Sequence, residues 1–350
     1  MNITEYMETQ GHEQLSVFTD KSVGLRVFIA VHDTTLGPAL GGVRIWPHKT
    51  EDDAIMDVLR LSRGMTYKSA AAGLDMGGGK ALIMASSNDK TEAMMRAFGR
   101  FIDSLGGRYI TTEDVGATTQ DMEWIAKETS HVTGLPVYQG GSGDPSEMTG
   151  YGIYQGMRAC AADIWGKDSL AGRTIAIQGF GKVASYLADH LMREDAKLIV
   201  SDINQSALNR ARDLGLEVVD DPSAIYGVDC DIFAPCALGG ILNDNTIPRL
   251  KCKVVAGSAN NQLLGDRHAL TLQDRGILYA PDYIINAGGI INISLEMGQA
   301  YDEKAAAEKV ASIYDTVESV ISLSRTNGIT TARAADRLAE ERIAANRISL

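Results

Sequence analysis

Two lysines and a pair of carboxylates carry the chemistry legible in the first half of this 350-residue chain. Lys68 closes the run Met65-Thr66-Tyr67-Lys68, and Lys80 follows three glycines in Gly77-Gly78-Gly79-Lys80. The glycine run suggests a phosphate-binding loop, but GxxxxGK[ST] requires Gly at position 74 and Ser or Thr at 81. The chain has Leu74 and Ala81 there, so that reading fails. A substrate bearing a carboxylate and an ammonium on one carbon suits the lysines better. Its carboxylate needs a fixed cation, and its ammonium must lose a proton before hydride leaves the carbon. One lysine that stays charged serves as a clamp, and its charge together with desolvation lowers the pKa of the other towards that of a general base. The three glycines let substrate and backbone come close to Lys80. Glu113-Asp114, after the apolar Tyr109-Ile110, lies at an expected strand end. A carboxylate there either holds the ammonium and shuttles protons while water attacks an imine, or is an ordinary turn or helix-cap acid.

The second half carries a cofactor motif. Ile175-Ala176-Ile177-Gln178 reads as a strand, and Gly179-Phe180-Gly181-Lys182-Val183-Ala184 follows it as GxGxxA. In such a motif the first glycine makes a tight turn, the second lets backbone approach a pyrophosphate, and the small third residue packs helix on strand. The helix opened here, from Val183 to about Met192, offers free N–H groups and a positive dipole end to the phosphates. A second strand ends in Asp202, 21 residues past Gly181. An acid at that place accepts the ribose hydroxyls of NAD and repels the 2′-phosphate of NADP.

Those sites need two bodies to hold them, and the length allows two domains. A chain this long requires no disulfide or structural metal, and no metal site is expected. A net charge of −12 argues against nucleic acid or an anionic membrane as partner. Cys160, Cys230, Cys236 and Cys252 form no CxxC and read as reduced, mostly buried thiols of a cytoplasmic protein. The polar, acidic start is no signal or transit peptide, and no apolar run reaches the length of a membrane span. Two strands are expected within residues 15–33, and a helix capped by Thr50 that runs towards Lys68. A glycine-rich turn at 77–80 then leads into an ALIMA strand. The Gly-, Pro- and Ser-rich stretch 134–152 is the expected hinge. Beyond it, strands at Thr174–Gln178, Lys197–Ser201, Asp231–Ala234, Lys253–Ala256 and Ile277–Tyr279 alternate with helices, which predicts a parallel sheet. The six histidines are expected mostly at the surface.

Longer motifs add a resemblance. GPALGGVRIWP (37–47), RGMTYKSAAAGLDMGGGKA (63–81), GGRYITTEDVG (106–116), IFAPCALGG (232–240), GSANNQL (257–263) and PDYIINAGGIIN (281–292) resemble the Glu/Leu/Phe/Val amino-acid dehydrogenase family, nearest to its leucine-acting members. The resemblance spans nearly the whole chain. It implies an α/β fold of two domains with a cleft between them: a substrate and oligomerisation domain (1–145, with a C-terminal helix of about 328–350 packing back on it) and a Rossmann-type domain (146–327). It implies NAD-dependent, reversible oxidative deamination of an L-amino acid to a 2-oxo acid and ammonia. Lys80 would be the general base, Asp114 its proton-transfer partner and Lys68 the carboxylate clamp. Leu40, Gly41, Met65, Thr112, Asn261, Ile290 and Ile293 would surround the substrate. Thr149, Cys236, Ala237, Asn260 and Asn286 would join Gly179, Gly181, Val183, Ala184 and Asp202 at the cofactor.

Glutamate-acting relatives carry Lys where this chain has Leu40, and a glutamate side chain buried against leucine would strand a charge at a cost of several kcal/mol. The isoleucine walls favour leucine, valine or isoleucine over aromatic side chains. One methylene separates valine from leucine by only about 1–3 kcal/mol, so several branched-chain substrates are expected. The rival readings are a phenylalanine or tryptophan dehydrogenase of the same family, or a non-catalytic NAD-binding sensor. A 2-hydroxy-acid dehydrogenase would need an acid/base histidine, and none sits in a suitable motif. The family usually has Pro where this chain has Glu147. The sequence given ends with AEERIAANRISL, an expected short tail that leaves homodimer and octamer both open.

Overall fold

The computed structural model describes residues 2–297 and 301–347. It divides into two compact units, the first made of the described parts of Met1–Asp144, Ile293–Glu303 and Ala339–Leu350, and the second of Pro145–Asn292 and Lys304–Leu338. The expected span 146–327 differs from the second unit by one residue at its start, Pro145, and at two further places. The described residues of 293–303 group with the first unit, and the second extends to Leu338.

The first unit is built from α1 (Ile3–Gln10), β1 (Gln14–Asp20), β2 (Leu25–Asp33), β3 (Ala39–Ile45), α2 (Glu51–Ala71), β4 (Gly77–Ile83), α3 (Glu92–Asp103), β5 (Tyr109–Glu113) and α4 (Thr119–Ala126). Its strands run in the order β1-β2-β4-β3-β5, antiparallel at β1/β2 and β2/β4 and parallel where β3 meets β4 and β5. The period-two alternation of β2 fills both faces. Val27, Ile29 and Val31 pack with Met94, Phe98, Met122 and Ile125 of α3 and α4, while Phe28 and Ala30 pack with Ala54, Val58 and Leu59 of α2. In β4, Ala81 and Ile83 belong to the first cluster and Leu82 to the second. By that alternation Lys80 falls on the α2 face. Thr50 caps α2 as expected, its Oγ1 accepting from the Asp53 N–H at 3.1 Å, and Glu51, Asp52 and Asp53 complement the helix dipole.

The expected turn at Gly77–Gly79 is absent, because all three glycines lie inside β4. Close packing gives the reason. A Cβ on Gly77 would lie 2.2 Å from the Asp33 carbonyl oxygen, one on Gly78 2.1 Å from the Thr66 nitrogen, and one on Gly79 2.6 Å from the Tyr109 ring. Glycine here permits contact between elements rather than a bend.

The second unit contains α5 (Ser146–Trp165), β6 (Thr174–Gln178), α6 (Lys182–Arg193), β7 (Lys197–Ser201), α7 (Gln205–Asp213), β8 (Glu217–Val218), β9 (Ile232–Pro235), β10 (Val254–Val255), α8 (Arg267–Asp274), β11 (Leu278–Tyr279) and α9 (Asp282–Ile285). The chain continues through α10 (Gly288–Ser294), α11 (Glu303–Ala311), α12 (Ile313–Asn327) and α13 (Thr331–Arg347). Its sheet is parallel, in the order β11-β10-β9-β6-β7-β8. The strand order reverses between β6 and β9, the place where doubly wound sheets bind ligands at their carboxyl ends.

The expected hinge is shortened by α5, which takes residues 146–152 into its first two turns. The glycines there serve packing. A Cβ on Gly150 would lie 2.9 Å from Leu187 N, and one on Gly152 2.6 Å from Ile313 Cδ1. Glu147 is an exposed residue of the first turn of α5, where its charge favours the helix end. The C-terminal helix was expected to pack on the first domain from about residue 328. Instead Thr331 of α13 donates to the Tyr279 carbonyl at 2.6 Å, within the second unit. From Ala339 onward α13 groups with the first unit, where Arg342 donates to the carbonyls of Ala70 (3.1 Å) and Leu74 (2.6 Å) just at and beyond the end of α2. A guanidinium there satisfies carbonyls that a helix end leaves without partners.

Candidate active site and dinucleotide site

On the α2 face of the first sheet, Lys80 of β4 is almost fully buried, and its Nζ lies 3.0 Å from Asp114 Oδ2. Asp114 is the residue after β5, which pairs with β3 from Ala39↔Tyr109 to Val43↔Glu113. That register sets Asp114 beside Arg44, whose Nε donates to the same Oδ2 at 3.0 Å. The Nη1 of Arg44 reaches Asp57 of α2 at 3.0 Å, and His48 Nε2 lies 3.2 Å from Asp57 Oδ2. Gly42 makes room for this arrangement, since its Cβ would fall 2.9 Å from Asp114 Cβ. Burial pushes the Lys80 amine below the ordinary lysine value, and the nearby Arg44 adds to that while Asp114 opposes it. Burial pulls Asp114 upward, but the charges of Lys80 and Arg44 outweigh it and hold the carboxyl below its usual range.

Of the sequence alternatives at 113–114, Glu113 accepts a bond from Thr119 Oγ1 at the start of α4, which leaves Asp114 as the acid beside Lys80. Lys68 is half-buried in the last turn of α2. Thr66 and Gly78 touch across α2 and β4, and Lys68 and Lys80 each lie two residues beyond that contact. Leu40 is fully buried on β3 between Gly78 and Ile110. A Cβ on Gly41 would lie 3.3 Å from Met65 Cγ, so glycine brings β3 against Met65. Thr112 is buried, its hydroxyl 2.9 Å from where a Cβ on Gly134 would be. Ile290 and Ile293 are buried on α10, one turn apart, and the division into units falls between them.

Within the second unit Gly179, Asp202, Cys236 and Asn260 follow the carboxyl ends of β6, β7, β9 and β10 in the chain. Gly179 takes a positive φ of 95°, and a Cβ on it would lie 2.6 Å from that of Ala237, so both the turn and the packing require glycine. Gly181 is the N-cap of α6, with open space where a Cβ would stand, and Ala184 is buried behind Val183. Asp202 accepts from the Phe180 N–H at 2.6 Å and from the Asn204 N–H at 2.7 Å, one bond to each oxygen. Each oxygen keeps a lone pair for a ribose hydroxyl. A cavity of about 490 Å³ opens there, lined by Gly181, Lys182, Ser185, Asp202, Asn204 and Arg210 among others. The Cys236 N–H donates to Gln178 O at 2.7 Å, and Asn286 Nδ2 donates to Asn260 Oδ1 at 2.7 Å. Asn261 adopts a left-handed φ of 51°, and its carbonyl accepts from the Gly240 N–H at 2.7 Å, which ties the loop after β10 to the loop after β9. Thr149 donates to Pro145 O at 2.8 Å and packs on Gly289. These groups fit a dinucleotide.

Two sequence expectations need correction or addition. None of the histidines is exposed: His32 and His268 are buried and His12, His48, His131 and His190 half-buried. His32 bridges Thr66 Oγ1 and the Gln10 carbonyl, each at 2.9 Å, and burial holds it down to about 4. Arg44 and Asp57 went unnoticed. The signal available was an arginine inside the otherwise apolar and glycine-rich GPALGGVRIWP run, where a buried charge requires a partner.

Three comparisons with known proteins agree. The family described as Glu/Leu/Phe/Val dehydrogenase, dimerisation domain, matches residues 12–131, and Glutamate/Leucine/Phenylalanine/Valine dehydrogenase matches 140–211 and 204–349. Leucine dehydrogenase of Geobacillus stearothermophilus is 55% identical over 345 residues, covering 98% of this chain and 94% of its own. Valine dehydrogenase of Streptomyces virginiae is 45% identical over 337 residues, covering 95% and 94%. The crystal structure of L-tryptophan dehydrogenase from Nostoc punctiforme superimposes with a TM-score of 0.85 at 44% identity and covers 99% of each chain.

Proposed function

Since the chain belongs to the Glu/Leu/Phe/Val dehydrogenase family, we propose that it is an NAD-dependent L-amino-acid dehydrogenase acting on branched-chain substrates. An L-amino acid, NAD⁺ and water give the 2-oxo acid, ammonium, NADH and a proton, reversibly. The observation that carries this reading is the buried Lys80, 3.0 Å from Asp114, in a chain 55% identical to a leucine dehydrogenase over nearly its full length.

In this reading Lys68 holds the substrate carboxylate and Lys80, neutral, takes the proton from the substrate ammonium. NAD, when bound, supplies the hydride acceptor. Asp114 passes protons as water adds to the imine and ammonia departs. Leu40, Gly41, Met65, Thr112, Asn261, Ile290 and Ile293 surround the substrate. Gly179, Gly181, Val183, Ala184 and Asp202 hold the pyrophosphate and ribose, with Thr149, Cys236, Ala237, Asn260 and Asn286 towards the nicotinamide. The apolar Leu40 leaves a glutamate side chain without a counter-charge. We further propose a homo-oligomer, dimer or octamer, in keeping with a first unit that matches a dimerisation domain. Four free cysteines accord with a cytoplasmic setting, and no helix among the described residues is long and apolar enough to cross a membrane.

The test is NADH formation at 340 nm with a panel of L-amino acids, in the native protein and in Leu40→Ala. Leucine, valine and isoleucine should lead and glutamate should be inert. Leu40→Ala should raise the phenylalanine-to-leucine ratio of kcat/KM by an amount worth about 1–3 kcal/mol. Glutamate as the best substrate, or an unchanged ratio in Leu40→Ala, would overturn the substrate assignment.

A further inference from the structure

Asp114 gives one oxygen, Oδ2, to two cations: Lys80 Nζ and Arg44 Nε, each at 3.0 Å. Arg44 is itself held from α2, where Asp57 accepts both Nη1 contacts (3.0 and 3.3 Å) and meets His48 Nε2 through the same Oδ2 at 3.2 Å. We propose that Arg44, anchored by Asp57, is a positioning residue for the deamination: by sharing Oδ2 of Asp114 it keeps that carboxylate from locking Lys80 in the charged form. The inference rests on Lys80 being the general base.

A lone carboxylate 3.0 Å from a buried ammonium would stabilise the ammonium, and a protonated lysine cannot accept the substrate's proton. A guanidinium cannot deprotonate, so it takes up a fixed share of the Asp114 charge at every working pH. Asp57 in turn gives the partly buried guanidinium a second carboxylate and fixes its Nη1 end on α2. The elements packed against β4 bring Arg44 from β3, Asp57 and Lys68 from α2, Tyr109 from β5 with Asp114 after it, and His32 from β2. Asp33 of β2 is taken by Arg347, and His32, held at about 4, is neutral. Arg44 opposes protonation of Lys80, whereas Asp114 and Asp57 favour it.

The experiment is kcat/KM for leucine against pH in the native protein, Arg44→Gln, Arg44→Lys and Asp57→Asn, with Lys80→Ala as reference. Arg44→Gln should move the acidic limb up by about one pH unit. Asp57→Asn, which keeps an acceptor oxygen for Arg44 while removing the negative charge, should move it down, and Arg44→Lys should restore it towards the native position. A second readout needs no turnover: the pH midpoint for acetylation of Lys80 by acetic anhydride, read by peptide mass spectrometry, should shift the same way in each variant. If Arg44→Gln loses rate by one factor at all pH values with an unmoved midpoint, Arg44 is merely structural and the inference fails. Should Arg44→Gln not fold, an unmoved limb and midpoint in Asp57→Asn have the same force. Full activity in Lys80→Ala would instead overturn the general-base reading itself, so the two failures are distinguishable.

Discussion

At the scale of single residues, the balance around Lys80 decides the chemistry. Two opposite charges 3.0 Å apart attract by about 5 kcal/mol at an effective dielectric of 20. Desolvating a buried ammonium costs several kcal/mol. Burial prevails over the charge of Asp114, so the amine gives up its proton more readily than an ordinary lysine. Lys80→Ala should therefore lower kcat by about 10²–10⁴-fold while substrate still binds, the usual contribution of a general base. Lys68→Ala should instead weaken binding of carboxylate ligands, seen as a raised KM and a loss of 2-oxo-acid inhibition. Near-native kcat in Lys80→Ala would remove the base from the scheme. Asp202 supports a separate prediction. Its carboxylate repels a 2′-phosphate, yet Lys182 and Arg210 line the same cavity. Asp202→Ser should raise kcat/KM with NADP⁺ and lower it with NAD⁺. Equal values for the two cofactors in the native protein would refute the assignment.

Among the elements, glycines have two different tasks, and substitution separates them. Gly78 lies where β4 meets α2, and a Cβ there would stand 2.1 Å from backbone at Thr66. Gly78→Ala should lower Tm, since overpacking of this kind costs about 1–3 kcal/mol or more, and should lower kcat by shifting Lys80. Gly181 caps α6 with a φ of −78° and nothing within 4 Å of an added Cβ. Gly181→Ala should leave Tm within a degree or two but raise KM for NAD, because the methyl occupies the space through which a pyrophosphate approaches the helix end. Thermal unfolding and cofactor titration of the two variants provide the check. Matching effects on both readouts would show that the two glycines share one task.

For the whole molecule, the chain crosses between its two units more than once: the described residues of 293–303 and the end of α13 belong with the first. The unit that carries Lys80 is also the one matched by a dimerisation domain. Light scattering at micromolar concentration should give a closed homo-oligomer, as symmetric association generally does. A monomer would refute it. A dimer or an octamer would settle which of the two states left open by the sequence is adopted.

Local pattern determined the GxGxxA turn and the Thr50 cap, which depend on neighbours a few residues apart, and the alternation of strand and helix patterns gave the parallel strands and the acid 21 residues beyond Gly181. Lys68, Lys80 and Asp114 were legible as residue types suited to one chemistry, with their roles supplied by the longer motifs. Tertiary structure alone decided the rest. Gly77–Gly79 reads as a turn in sequence, and only contact with Asp33, Thr66 and Tyr109 makes it a strand. The register of β5 on β3 supplies the physical reason that Asp114, and not Glu113, stands beside Lys80, since adjacent residues of a strand point to opposite faces. Arg44 and Asp57 are 13 residues apart and Arg44 and Asp114 are 70 apart. No periodicity links such distances, and only the packing of α2, β3 and β5 around one lysine brings those charges together.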